Sequence, residues 1–224
     1  MYKNRRITVV IPCLNEEAAI GEVLREVPPF VDEIIVVDNG STDRTATIAR
    51  DMGALVISEL NRGYGRAYKS GFLRATGDII VTLDGDHSYP VDALSYLLEA
   101  FMHCGVGFLS ASRFPVLNEA AMNSKHKFGN RVLSIAMSFL FFRWIHDSQS
   151  GMWVFRRDAL KGMKLVSDGM AFSEEIKIEA IKNKDIGFRE IFISYSQRMG
   201  ERKLMPWRDG FQNIIFLFRK RFGG

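Results

Sequence analysis

Cysteine is scarce in this 224-residue chain: Cys13 and Cys104 are too few for a disulfide framework and lack metal-ligand spacing. Both stand in apolar runs and are expected as buried, reduced thiols, which points to a reducing compartment. The four histidines, His87, His103, His126 and His146, show no metal-ligand spacing either. Long hydrophobic runs are missing: the longest, residues 132–142, falls short of the ~20 residues a spanning helix needs. A secretory leader is not expected, because Pro12 interrupts the first apolar stretch, Asn15-Glu16-Glu17 follow it and no cleavage site is visible. Repeats, linkers and low-complexity segments are absent. What is present, 47% hydrophobic and 25% charged residues, is globular composition. Residues 1–224 are expected as one domain, with a first half over 1–113 and a specialised second half over 114–224.

Charge is unevenly placed. From Arg198 onward there are seven Lys/Arg against two Asp/Glu, and the first 197 residues carry 23 against 24. The net +4 is therefore a property of the tail, which suggests an anionic partner. Nucleic acid is not expected: the tail is short, the rest slightly acidic, and no dedicated module is visible.

β-branched runs alternate with helix-forming segments. Strands are predicted over 7–11, 33–37, 54–58, 78–83 and 106–111, and helices over 16–25, 44–52, 66–75 and 91–103, with Asn15 as cap of the first. That alternation predicts an α/β fold with a mostly parallel central sheet, whose ligands lie at the carboxyl ends of the strands. Three acid-bearing loops follow the first, second and fourth strands: Asn15-Glu16, Asp38 to Asp43, and Asp84-Gly85-Asp86. The second half is predicted as a polar loop to 127, an apolar helix to about 143, a turn over 147–151, a strand over 153–155, a helix opened by Glu174 and Glu175, a strand over 187–195 and a terminal helix over 207–222.

Asp84 and Asp86 flank one small residue at a strand end. Such a pair can hold one hard divalent cation, Mg²⁺ or Mn²⁺, which in turn bridges a diphosphate.

In order, the chain reads Val10-Ile11-Pro12-Cys13-Leu14-Asn15-Glu16-Glu17, Val37-Asp38-Asn39-Gly40-Ser41-Thr42-Asp43, Gly63-Tyr64-Gly65-Arg66-Ala67, and Thr76-Gly77-Asp78 through Leu83-Asp84-Gly85-Asp86. This resembles the family 2 glycosyltransferases of the three-layer GT-A fold. Ser112-Arg113-Phe114, Gly129-Asn130-Arg131, residues 147–155 and Gly200-Glu201-Arg202-Lys203-Leu204 extend the similarity to the dolichyl-phosphate (polyprenyl-phosphate) sugar synthase branch. The resemblance implies that Pro12, Asn15 and Glu16 border the nucleotide, Asp38 holds its base or ribose, Gly40 lets the backbone approach, and residues 63–66 form a flexible basic loop beside it, with Arg66 on the nucleotide. It implies Asp84 and Asp86 as metal ligands, Asp86 the closer. Relatives often carry Gln where this chain has Ser88, which leaves the third ligand open.

A nucleoside diphosphate leaving group needs a cation, and the acceptor decides the rest. A sugar hydroxyl wants a general base, for which Glu174 or Glu175 is the candidate. A lipid monophosphate is already anionic and wants cations. The resemblance singles out Arg113, Arg131, Ser134, Arg198 and Lys203 for its phosphate, arginine being suited to a two-bond grip. The leading expectation is an inverting, metal-dependent hexosyltransferase that moves one sugar from GDP-mannose, a UDP-hexose or a UDP-N-acetylhexosamine to dolichyl or polyprenyl phosphate. Transfer to a sugar hydroxyl is the alternative, and a non-catalytic nucleotide-sugar-binding subunit a third. A lipid acceptor also implies a chain that is peripheral at the cytoplasmic face of a membrane. Residues 128–142 and 211–221 are apolar stretches flanked by cations and suit such a surface, although the first is expected to bury its apolar face against the sheet.

Overall fold

The computed structural model describes residues 1–118, 121–199 and 206–223, with side chains omitted for 206–209. Seven strands form one sheet in the order β3-β2-β1-β4-β6-β5-β7: β1 (Ile7–Cys13), β2 (Glu33–Asp38), β3 (Leu55–Ser58), β4 (Ile79–Thr82), β5 (Phe108–Ser112), β6 (Trp153–Arg156) and β7 (Phe188–Phe192). All neighbouring pairs are parallel except those of β6, which runs antiparallel to β4 and β5. The helices are α1 (Ile20–Glu26), α2 (Thr45–Asp51), α3 (Tyr64–Arg74), α4 (Ala93–Cys104), α5 (Ser124–Phe141), α6 (Phe172–Lys182) and α7 (Pro206–Phe222).

The period-2 alternation of β1 separates the core into two layers. Ile7, Val9 and Ile11 point to one face, where Val23 of α1, Ala49 of α2 and Leu94, Leu97 and Phe101 of α4 cover them. Val10 points to the other, with Tyr68 and Phe72 of α3, Met137 of α5, Phe172 and Ile176 of α6 and Leu217 of α7. Each aliphatic or aromatic side chain buried this way contributes about 1.5–3 kcal/mol, and the helix–sheet–helix sandwich holds the strand ends in fixed register.

Several boundaries depart from the sequence expectation for local reasons. The first helix starts at Ile20 rather than at 16, and Asn15 does not cap it. Asn15 sits in the left-handed region (φ 51°), and the N–H groups of residues 15, 16 and 17 donate to Ser41 Oγ, Thr45 Oγ1 and Asp43 Oδ2. A positive φ is not that of a helix cap, and the side-chain oxygen a cap would offer to the helix accepts Thr42 N–H at 2.8 Å instead. Residues 63–66 are not a free loop: Tyr64 to Arg66 are the first turn of α3, and Arg66 N–H donates to the Asp168 carbonyl at 3.1 Å. The helix α5 begins three residues before the end of the expected polar loop, because Asn123 accepts from His126 N–H and caps it. Cys104 is half-buried rather than buried, while Cys13 is buried as expected.

The expectation for 128–142 needs the largest correction. Leu133, Met137 and Leu140 face the core, but Phe128, Ile135 and Phe139 are 72%, 61% and 77% exposed, and Phe142 and Trp144 continue the exposed line. On α7, Leu217 is buried while Phe211, Phe218 and Phe222 are exposed. One flank of α5 and one of α7 are spent on packing, and the outer apolar stripe is left over.

Candidate active site

β1 has β2 on one side and β4 on the other. The chain leaves β1 towards β2 and β3, then returns to β4, so the crevice above these carboxyl ends is the topological switch point of the sheet. The three acid-bearing loops meet there.

Asn39, which the sequence reading quoted without a role, joins them. Its Nδ2 donates to the carbonyls of Glu59 and Asn61, both at 2.9 Å, and its Oδ1 accepts Gly63 N–H at 2.8 Å. Its own N–H donates to the Cys13 carbonyl at 2.8 Å. One buried amide thus ties the ends of β1 and β2 to the segment that launches α3. Asp38 Oδ1 accepts Ser41 N–H at 3.0 Å across Gly40, whose φ of 83° a side chain would strain. Arg66, on α3, lies 3.9 Å from both Glu59 and Asp168. Asn39→Ala leaves two carbonyls and one N–H without their buried partner, at about 1–3 kcal/mol for each group that water cannot reach. A lower urea midpoint and weaker nucleotide binding in a calorimetric titration are the expected results.

Asp84 and Asp86 leave β4 side by side. Asp84 Oδ1 faces the hydroxyls of Tyr68 at 3.4 Å and Tyr64 at 3.5 Å. Although its side chain keeps an opening to solvent, dense packing around it and then the charge of Asp86 push its carboxyl up to about 7. Asp86 Oδ1 accepts the N–H and hydroxyl of Ser88, and its Oδ2 lies 3.4 Å from Arg198 Nε. Ser88 therefore orients Asp86. Among the described residues no group of three or more His, Cys, Asp or Glu could hold a metal alone. Two neighbouring carboxylates, with the charged form of Asp84 disfavoured by burial and then by Asp86, are the donor set of an ion whose remaining ligands come from water and a substrate diphosphate, as Mg²⁺ prefers. The residues fit the group.

The turn over 147–151 is a rigid shelf beside that pair. Asp147 is buried and grips Arg113 by two side-chain bonds, 2.7 Å to Nε and 2.9 Å to Nη2, and accepts Arg113 N–H at 3.0 Å. Burial alone would raise the Asp147 carboxyl, but the Arg113 charge outweighs it and holds it below the usual range. Lys177, also buried, donates to the carbonyls of Asp147 and Ser148 at 2.7 and 2.9 Å; burial lowers its ammonium to about 8 against the pull of Asp147 and Glu190. Glu190 accepts the N–H groups of His146 and Asp147. Gly151 ends the shelf: its N–H donates to Tyr89 Oη and its carbonyl accepts from Thr82 Oγ1. A Cβ here would overlap the Tyr64 hydroxyl and stand 3.3 Å from Asp84 Oδ1. Only glycine lets this turn approach Asp84.

The remaining expected residues separate. Pro12 lies on β1 against Val37. Arg131 is exposed on α5. Ser134 is buried and accepts Ser148 N–H at 2.9 Å, so it supports the shelf from below. Arg198 lies on Glu16 and Asp86. Lys203 and the segment 200–205 lie outside the described residues. Glu175 spends Oε2 on the N–H groups of Val166 and Ser167 and Oε1 on Lys220, so it is occupied as a clamp. Glu174 is fully buried, takes Gln149 Nε2 at 2.8 Å, and is pushed well above the ordinary carboxylate range by burial. The supporting residues Asn39, Tyr64, Tyr68 and Lys177 carried no sequence signal beyond lying in or near quoted motifs.

The family described as glycosyl transferase family 2 matches residues 8–163. The low-salt glycan biosynthesis hexosyltransferase Agl6 of Haloferax volcanii is 34% identical over 218 residues, 94% of this chain and 52% of that protein. This chain thus spans about half the length of that relative. The dolichyl-phosphate hexose transferase of the same organism is 34% identical over 207 residues, 91% of this chain and 89% of that protein. Among solved structures, glucosyl-3-phosphoglycerate synthase from Mycobacterium tuberculosis with Mn²⁺, UDP and glucosyl-3-phosphoglycerate superposes with a TM-score of 0.76 at 24% identity, over 98% of this chain and 81% of that one. The same enzyme with Mg²⁺ and UDP gives 0.77 at 23% identity, over 98% and 80%. These structural likenesses establish the GT-A fold. With the matched residues running from the first strand through the paired aspartates to the shelf and beyond β6, the chain belongs to glycosyl transferase family 2.

Proposed function

We propose that this chain is a hexosyltransferase that moves one sugar from a nucleotide sugar to a polyprenyl phosphate of the dolichyl type at a membrane surface. The observation that carries the reading is the pair Asp84 and Asp86 at the switch point, in a chain 34% identical over most of its length to a dolichyl-phosphate hexose transferase. A divalent cation held by this pair would supply positive charge to the departing diphosphate. Asp38 and the loops stapled by Asn39 would hold the nucleoside, with Glu16 towards the ribose. The acceptor phosphate oxygen would attack the anomeric carbon as the bond to the diphosphate breaks on the opposite side, in one displacement with inversion. Such a nucleophile needs no base. Arg113, fixed by Asp147 with its other N–H groups uncommitted in that grip, and Arg131 would neutralise it.

Support for the membrane surface comes from the leftover stripe. Phe128, Ile135, Phe139 and Phe142 project beside exposed Lys125 and Arg131, and Phe218 and Phe222 beside Arg219 and Arg221. Apolar residues at acyl depth with cations at headgroup level are an interfacial arrangement. Among the described residues no helix is long and apolar enough to cross a bilayer.

The test is direct. Purified chain, Mn²⁺ and vesicles carrying polyprenyl phosphate are supplied in turn with labelled GDP-mannose, UDP-glucose and UDP-N-acetylglucosamine, and label is followed into the lipid phase. One preferred donor is expected, with Glu174→Gln retaining turnover. Label that passes only to soluble sugar hydroxyls, and is lost in Glu174→Gln, overturns the reading.

A further inference from the structure

Arg198 belongs to the segment that leaves β7 and folds back over the aspartates. Met199 N–H donates to the Asp86 carbonyl at 2.8 Å, and Ser196 N–H to the Ser88 carbonyl at 3.0 Å. This pinning carries the guanidinium between two acids: Nη2 donates to Glu16 Oε1 at 3.0 Å, and Nε stands 3.4 Å from Asp86 Oδ2. Glu16 and Asp86 share this guanidinium, and the charges of Asp86 and Arg198 both act on Asp84. A second guanidinium acting on Asp84 among the described residues, Arg113, is bonded to Asp147 on both Nε and Nη2. The grip of Arg198 is electrostatic more than directional. Its Nε is buried yet makes no hydrogen bond among the described residues, so the two-bond fork that gives arginine–carboxylate pairs their strength is not formed. A counter-ion held by one hydrogen bond and otherwise by charge yields to a stronger charge.

We infer that Arg198 is a built-in counter-ion, seated between Glu16 and Asp86 where a divalent cation is bound, and expelled when the cation and diphosphate enter. The inference rests on the metal-dependent reading of the site and deepens it. While seated, Arg198 offsets the charges of Glu16 and Asp86 and competes with the cation. Once expelled, its charge stays at the mouth of the site, free for the next phosphate to arrive. Donor loading and presentation of a cation to the acceptor become one event, which orders the two substrates.

The experiment is a Mn²⁺ titration of the full chain, read as loss of the free-Mn²⁺ electron paramagnetic resonance signal, with and without UDP or GDP. If the seated arginine leaves only a minor fraction of molecules open, Arg198→Ala should bind Mn²⁺ about tenfold tighter than wild type. Arg198→Gln, which keeps the side-chain length, should do likewise, and Arg198→Lys should gain less. Without Mn²⁺ the neutral variants should melt below wild type, and the rise on adding Mn²⁺ should exceed that of wild type. Unchanged or weaker Mn²⁺ binding in both neutral variants overturns the inference and marks Arg198 as packing for its segment. The Asp84→Asn/Asp86→Asn double variant separates the two readings. If it binds Mn²⁺ as wild type does, the metal site itself fails; if it loses Mn²⁺ while the arginine variants gain nothing, the counter-ion alone falls.

Discussion

Asparagine at Asp84 or Asp86 is expected to cut turnover about a thousandfold while leaving the fold intact, because several kcal/mol of charge stabilisation at the leaving group is lost at ~1.4 kcal/mol per tenfold. Shape is conserved and one charge removed, so a steady-state assay at saturating Mn²⁺ reads the electrostatic part. Stability should move the other way for Asp84. Its carboxyl is pushed up to about 7 by burial and by Asp86, whereas an aspartate in the unfolded chain titrates near ~3.9. Between those values the folded protein holds a proton that the unfolded chain has released. The stabilisation from this group is complete below about 4 and lost as the pH rises through about 7. Metal-free wild type should therefore melt lower at pH 8 than at pH 6. Asp84→Asn should melt higher than wild type at pH 8, with the difference closing towards pH 5. A variant that is more stable and inactive separates a residue held for chemistry from one held for packing.

The sheet was legible in the sequence because its β-branched runs are buried on both faces, and no helix could use Ile7 to Ile11 or Glu33 to Val37 as well. The acid loops were legible as chemistry because Asp84-Gly85-Asp86 directly follows such a run. Harder to read was what holds the loops. Asn39, Tyr64 and Tyr68 act across 16 to 24 residues of separation, and the Asp147 grip on Arg113 spans 34. Periodicity and local spacing carry no record of such partners. The start of α1 failed for the same reason: Asn15 looked like a cap, but its side-chain oxygen accepts Thr42 N–H, 27 residues on. Residues 147–155 entered the sequence reading only through the resemblance, and Gly151 supplies a physical reason, since the approach to Asp84 and Tyr64 leaves no room for a Cβ. Exposure of the α5 stripe was also hidden, because an amphipathic pattern reports that one face is buried and not whether the opposite apolar residues find cover.

Arg113 and Asp147 should give the largest loss of stability. Both are buried, and the carboxylate also anchors backbone N–H groups of Arg113 and Gln149. Breaking a buried pair from one side leaves the other charge without compensation, which costs about 3–5 kcal/mol; that is the expectation for Arg113→Met, read from denaturant unfolding. Asp147 titrates in the opposite sense to Asp84: its carboxyl is held low by Arg113, so the pair stabilises above the ordinary aspartate range and fails as the pH falls through the depressed folded value. Adding Asp147→Asn to Arg113→Met removes both charges while keeping an oxygen for the backbone donors. Most of the lost stability should return, because neutral, well-packed replacements of buried ion pairs are often as stable as the originals. Activity should not return with it, since the acceptor phosphate then lacks one of the guanidiniums proposed to meet it. If turnover recovers together with the fold, Arg113 serves only to hold the shelf, and the charge that meets the acceptor must come from Arg131, Arg198 or the segment beyond it.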